Sequence, residues 1–340
     1  MLAFPILPML VFGFITTVIL TPISRILAFR VGIVKEPGRS RDLHQQTMPL
    51  LGGVAIFIAI ALALLLFSPD GWQAEFLAIL FGTALVAFIG LLDDRFSLPW
   101  GLRLVVMTLA AVVLVLNDIQ IHLTYHVGVD ILLTILWVLT LVNALNFMDN
   151  MDGLSAGTAA ICAGTLTIIA YTQGQYLVSA MAASLTGSAL GFLVFNFYPS
   201  SSFMGDMGAY VLGYILAVSG IKLTFSAQPL SVTWMVPIFA LGLPLFDISL
   251  VVFTRLVEGR SPWQGGRDHS SHRLLAAGLG QRQTLALLYS LAALLGAMAL
   301  YISLAPAETA WRVGILGFLL MGILFWVMQG LRARFGEGGG

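Results

Sequence analysis

ILLTILWVLTLVNALNFMDNMDGLSAGTAAICAGTLTIIAYT, residues 131–172, is two apolar runs joined by a polar knot that holds Asp149 and Asp152. A helix needs about 20 apolar residues to cross the hydrocarbon core, and each arm of this stretch comes close to that length. Runs of the same kind repeat along the chain. Of its 340 residues, 59% are hydrophobic and 9% charged, with a mean hydropathy of +0.97. An ordinary soluble domain carries roughly a quarter charged residues, so a soluble protein is excluded and no stretch is left for a separate water-soluble domain. The expected fold class is all-α, a polytopic transmembrane helical bundle at 1–331 with a short tail at 332–340. Eleven candidate spans run from one near 3–24 to one near 311–330. The fourth, 103–117, is short, and only LAPAETAW (304–311) divides the last two, so ten is the alternative count.

Orientation follows from Lys and Arg at the span ends, because cytoplasmic loops carry the excess. Fourteen of the sixteen basic residues fall on one side; the exceptions are Arg312 and Lys222, the latter inside the eighth span. This places the N-terminus outside and the C-terminus in the cytoplasm. The first apolar run has its cations after it, the wrong order for a cleaved secretory signal, and is expected to remain as a span. Net charge is zero, which gives no global field for nucleic acid. The lone Cys162 lies in an apolar run and excludes a disulfide framework. Gly187 and Gly191 form a small-xxx-small pair suited to close packing of the seventh span. The outer segment 119–130 alternates like a short hairpin, with His122 and His126 read as structural.

Charge placement is where chemistry shows. On the inner side, carboxylates occur in three separate loops: Asp93 and Asp94 in GLLDD, Asp149 and Asp152 in NALNFMDNMDGL, and Asp206 in FMGDMGAY. The last two loops contain no Lys or Arg. A single Asp there most simply caps a helix or pairs with a neighbour, as Asp94 and Arg95 would. Five at one membrane face point instead to a hard divalent cation, since Mg2+ is held by one or two carboxylates together with waters and substrate phosphates. Asn143, Asn146, Asp149 and Asp152 are spaced by three residues, so neighbours share a helix face while the four drift around it, and a helix break is expected near Gly153.

Two inner loops supply cations. The segment 254–283 combines Arg260, Arg267, Arg273 and other arginines with His269 and His272, the chemistry of a phosphate clamp. Taken alone it reads somewhat better as a basic loop that only sets topology or touches anionic lipid. The first inner loop offers Lys35, Arg41 and His44 as a second phosphate wall. Asp247, about two turns inside the ninth span, must pair with something or serve a site.

KEPGRSRDLHQQTMPLLGG (35–53), GLLDD (90–94), NALNFMDNMDGLSAG (143–157), FNFYPSSSFMGDMGAY (195–210), PLFD (244–247) and RLVEGRSPWQGGRDHSSHRL (255–274) occur in order over nearly the whole chain. Together they resemble the polyprenyl-phosphate N-acetylhexosamine-1-phosphate transferases, and PLLGG with the R-x-x-x-G-R-S-P stretch is closer to the N-acetylglucosamine branch than to the muramoyl-pentapeptide branch. The resemblance implies an enzyme of the inner cell membrane. It would move a sugar 1-phosphate from a UDP-sugar to a polyprenyl phosphate such as undecaprenyl phosphate on the cytoplasmic face, releasing UMP for lipid-linked envelope glycan synthesis.

It further implies Mg2+, with Mn2+ as a substitute, held by Asp206 and Asp149. Asp93 or Asp94 would orient or deprotonate the acceptor, Asp149, Asp152 and His269 would take part in catalysis, and the Asn and cationic residues named above would bind substrate. A homodimer is compatible with it. The chain departs from the pattern in keeping only His269 and His272 around Ser270 and Ser271, where relatives carry a denser histidine cluster, and in having Ala209 where Ser often follows M-G-D-x-G. Both departures touch the sugar end, leaving another UDP-N-acetylhexosamine or UDP-N-acetylmuramoyl-pentapeptide as alternative donors. The rival from another class is a secondary transporter, whose acids should lie near the bilayer midplane and not at one edge.

Overall fold

The computed structural model describes residues 6–37, 46–67, 73–124, 126–225 and 229–335, and Arg41 and His44 lie outside them. In chain order the described residues form α1 (Ile6–Val31), β1 (Val34–Lys35), β2 (Met48–Pro49), α2 (Gly52–Leu66), α3 (Gln73–Phe96), α4 (Trp100–Val115) and α5 (Val127–Met148). They continue with α6 (Leu154–Thr172), α7 (Tyr176–Asn196), α8 (Gly205–Lys222), α9 (Leu230–Thr233), α10 (Met235–Ala240), α11 (Gly242–Val257), α12 (Ser270–Ala276), α13 (Gln281–Leu304) and α14 (Ala307–Phe335).

The protein is an all-α polytopic membrane protein. Among the described residues seven helices are long and apolar enough to cross a bilayer: α1, α3, α5, α6, α7, α13 and α14. The α9–α10 and α11 segments add an eighth if their 77° bend is one broken span. The other expected spans are apolar helices too, but α2 and α4 have 15 and 16 residues, and the 18-residue α8 carries Asp206 and Lys222 at its ends. α2 starts late because β2 pairs antiparallel with β1, Val34 opposite Pro49, whereas α4 starts earlier than expected, directly after Pro99, and ends early at Val115. The α10–α11 bend has a local cause in Pro244, which has no N–H to give to the preceding turn. The helix at the C-terminus runs to Phe335, past the expected boundary at 331.

α8 is the axis of the bundle, buried from Met207 to Gly220 and packed by α2, α3, α5, α6 and α7. α1 lies along α7 as the small-residue pair implies: a Cβ on Gly187 would overlap the Leu10 carbonyl oxygen, and one on Gly191 the Phe14 carbonyl oxygen. Van der Waals contact at such distance is what holds helices together where lipid is as apolar as leucine. The expected hairpin at 119–130 is not formed among the described residues. Instead Asp130, in the first turn of α5, accepts hydrogen bonds from the Leu123 and Thr124 amides at 3.2 and 2.9 Å and ties the loop to the helix.

Candidate active site

Helices α3 and α5 end, and α6 and α8 begin, around one cavity of about 600 Å³. Its wall includes Asp93, Asp94, Asn146, Asp149, Asp152 and Asp206, with Lys35 from β1 at the side. All five inner carboxylates that the sequence placed in separate loops therefore meet. The helix break expected near Gly153 is present: α5 ends at Met148, Asp149 follows it, and Gly153 at φ +77° opens α6. Two side chains fix this turn, since Asn196 Oδ1 accepts from the Gly153 amide at 3.1 Å and the Tyr289 hydroxyl donates to the Gly153 carbonyl at 2.5 Å.

Adjacent positions on α3 point about 100° apart, and their carboxylates do different things. Asp93 accepts from the Leu98 amide at 2.7 Å, Arg103 at 2.8 Å and the Tyr210 hydroxyl at 3.1 Å. Asp94 accepts from the Asp206 and Met207 amides at 2.8 and 3.3 Å. It thus caps α8, which has no side-chain cap of its own, and its charge complements the helix N-terminus. The Asp94–Arg95 pairing considered from sequence does not form; Arg95 donates to the Gly32 carbonyl instead. Asp152 accepts from the Ser200 amide at 3.0 Å.

Asp206 accepts from the Asn146 side chain at 2.5 Å and lies beside the Asp93 carboxylate. Asp149 receives no hydrogen bond among the described residues. Burial pushes its carboxyl up to about 7; Lys35 opposes the shift, and Asp206 and Asp152 add to it. Two carboxylates against each other and a third with no donor are what a divalent cation would neutralise. Among the described residues no group of three or more His, Cys or acidic side chains is arranged to hold a metal ion. An open site that relies on substrate phosphates does not need one, so the donor set fits Mg2+.

Asn143 departs from its expected role. Its amide donates to the Leu139 carbonyl at 2.7 Å within its own helix, and it is not part of the cavity wall, because α5 is still intact there and turns it away.

The histidine segment adjoins the cavity without lining it. His269 precedes α12, and its Nδ1 lies 2.8 Å from Asp247 Oδ2. A carboxylate only accepts, so Nδ1 carries the proton and Nε2 is left for another partner. Ser270 completes the grip, donating to Asp247 Oδ1 through its amide at 2.8 Å and its hydroxyl at 2.6 Å. Asp247 is therefore a partner of His269. Half-buried His272 is pushed down to about 4 by burial, then by His269 and Arg267, and is neutral at pH 7.

The clamp expected of the arginines is largely turned inward. Arg273, 3% exposed, donates to the carbonyls of Asp268 and Met328, to the Gln329 side chain and to the Thr254 hydroxyl. All its nitrogens are engaged, so direct contact with a substrate phosphate is not what this arrangement provides. Burial, and then Arg332, push its guanidinium down to about 10. Arg260 pairs with Glu258 and Asp268. Asp268, 2% exposed, also takes Arg255 at 2.9 Å and Arg332 of α14 at 2.5 Å. Arg267 is exposed. Sequence gives residue types and not partners: Arg273 finds its partners on α11, on α14 and at Asp268, and Arg260 finds Glu258 and Asp268.

Asp268 holds three guanidiniums, and leaving them unmatched is expected to cost about 3–5 kcal/mol. Asp268→Ala should accordingly lower the thermal unfolding midpoint in detergent. Burial raises the Asp268 carboxyl, but hydrogen bonds from Arg260, Arg255 and Arg332 outweigh it and hold the group well below the usual carboxylate range. Its stabilisation is present above the unfolded pKa of about 4 and is lost as pH falls toward the folded value. An unchanged midpoint at pH 7 contradicts this account.

Fold and site together define a polytopic helical membrane protein with an acidic cavity where helix ends meet. The model of the family described as "Glycosyl transferase family 4" matches residues 76–224, which contain the five aspartates of the cavity wall. Over 331 residues the chain is 30% identical to the decaprenyl-phosphate N-acetylglucosaminephosphotransferase of Mycolicibacterium smegmatis, covering 86% of this chain and 80% of that one. It is 28% identical to a Bacillus subtilis protein named "Probable undecaprenyl-phosphate N-acetylglucosaminyl 1-phosphate transferase", over 90% of this chain and 87% of the other. It is 26% identical to the undecaprenyl-phosphate alpha-N-acetylglucosaminyl 1-phosphate transferase of Yersinia pestis, over 92% and 89%. The chain belongs to glycosyl transferase family 4, the polyprenyl-phosphate N-acetylhexosamine-1-phosphate transferases, and stands closest to the undecaprenyl-phosphate N-acetylglucosamine-1-phosphate transferase branch.

Proposed function

We propose that the protein transfers N-acetylglucosamine 1-phosphate from UDP-N-acetylglucosamine to a polyprenyl phosphate on the cytoplasmic face of the inner membrane. UMP leaves, and the lipid-linked product starts an envelope glycan. The observation that carries this reading is the cavity in which Asp93, Asp94, Asp149, Asp152 and Asp206 meet, in a chain of this family.

An oxygen of the lipid phosphate attacks the β-phosphorus of the donor, and the bond from that phosphorus to the UMP oxygen breaks, its electron pair leaving with UMP. Asp206 and Asp149 would hold Mg2+ or Mn2+, which supplies charge neutralisation where the two phosphates approach. Asn146 orients Asp206 by donating to it. Asp93 and Asp94 act by position: one is fixed by Arg103 and Tyr210, the other fixes the start of α8. A strong base is unnecessary, because an alkyl phosphate is already largely dianionic at neutral pH, and phosphoryl transfer rests on positioning and electrostatics. His269, with its Nδ1 proton held by Asp247, is left with Nε2 as the ring atom for the donor substrate, where an unprotonated imidazole nitrogen accepts a hydrogen bond. The lipid explains why these groups sit at helix ends in the membrane.

Purified protein given polyprenyl phosphate, Mg2+ and a panel of UDP-sugars is expected to form lipid product with UDP-N-acetylglucosamine. Product with a different UDP-sugar alone overturns the sugar assignment, and product with none overturns the reaction. For the membrane face, a cysteine at exposed Ala276 should be shielded from an impermeant outside reagent in intact cells, while one at exposed Glu308 should react. The reverse labelling contradicts the orientation.

A further inference from the structure

The groups proposed to act on the substrates stand on two sets of elements that pack against each other through α5 and α11. The carboxylate cavity belongs to the ends of α3, α5 and α8, whereas His269 immediately precedes the short α12 and is held by Asp247 on α11. Residue 150 lies inside the acidic turn and lines the cavity, and residue 271 lies in the first turn of α12. Among the described residues, the Ser271 hydroxyl donates to Asn150 Oδ1 at 2.7 Å, across 121 positions of chain. Asn150 in turn donates to the Phe147 carbonyl at 2.7 Å, which fixes its amide so that Oδ1 is the atom presented to Ser271. The Phe147 ring stands edge-on to His269, with centroids 6.1 Å apart, and under the Arg255 guanidinium at 5.4 Å. Those ring contacts are permissive of sliding; a short hydrogen bond with both partners fixed is not. Ser271 is fully buried, so water does not replace the bond cheaply if it is lost.

We propose that Ser271 and Asn150 are a positioning pair that sets the separation between the carboxylates of the acidic turn and His269. The inference rests on the transfer reaction proposed above. Its logic is geometric: the donor pyrophosphate must meet groups on both sets of elements at once, and a shift of about 1 Å in such an arrangement can cost up to a hundredfold in rate. Each side chain is engaged by protein partners, Ser271 by Asn150 and Asn150 also by the Phe147 carbonyl, so the pair acts through the groups it carries. The acidic turn keeps its other fixtures, Asn196 and Tyr289, when the pair is removed.

The test is a double-mutant cycle on the full-length protein, with kcat and KM for UDP-N-acetylglucosamine measured per folded molecule by UMP release. Ser271→Ala and Asn150→Ala are each expected to lower kcat about tenfold, or 1.4 kcal/mol, with KM within about twofold. The double variant should be no slower than the slower single, because the same link is broken once. Multiplying losses, a change confined to KM, or an unchanged kcat in Ser271→Ala each overturns the pair. Asn150 stands at the cavity rim, so its variant keeps the question open to test should the buried serine variant not fold. Wild-type protein in the same assay separates the failures: no UMP release from it sinks the transfer reaction, and normal release without coupling sinks only the pair.

Discussion

Asp206→Asn protein is expected to fold and yet lose turnover by at least about a hundredfold, the scale of losing a charge-stabilising group at a phosphoryl or acyl centre. The fold should survive because the substituted amide still has an oxygen to accept from Asn146, and because Asp94 caps α8 through backbone amides that the change leaves alone. What disappears is the negative charge beside Asp93 that a divalent ion would neutralise. UMP release measured against Mg2+ concentration checks this. Near-normal turnover of the variant, or activity of the wild type in excess EDTA, contradicts the assignment of Asp206 and Asp149 to the metal.

His269→Ala should cost at least about tenfold in turnover, equal to 1.4 kcal/mol of transition-state stabilisation. The structure gives this residue a reason to matter that its loop alone does not. It is 5% exposed, its tautomer is set by Asp247, and that acid is also saturated by Ser270. A basic loop that only sets topology has no need of a buried carboxylate to orient one ring. Unchanged kinetics at both saturating and limiting UDP-sugar would return His269 to a structural role.

Much of this was legible because it depends on local pattern. The apolar runs, the break at Gly153 and the close packing at Gly187 and Gly191 follow from residue types at short spacing, and all are present. The convergence of the acids was legible from their common side alone. Span completeness was not: whether the short runs of α2 and α4 reach across depends on the β1–β2 pairing ahead of Gly52 and on Pro99 ahead of Trp100. Nor was the fate of the cations. Arg103 finds Asp93 ten positions away and Arg332 finds Asp268 sixty-four away, and no periodicity encodes such pairs. For the same reason Arg273 reads as a clamp and is built as a strut. Tyr210 was the findable omission, since it lies four residues after Asp206 on one helix face, pointing at the same cavity edge.

The central claim is that the sugar travels with its phosphate from donor to lipid. UDP-N-acetylglucosamine labelled at the β-phosphorus, incubated with the purified protein, polyprenyl phosphate and Mg2+, decides it. The label is expected to enter the lipid fraction in step with release of unlabelled UMP, and to stay in the donor when the lipid is left out. Label that remains water-soluble as UDP while sugar appears on the lipid would contradict the account, as would no lipid product at all.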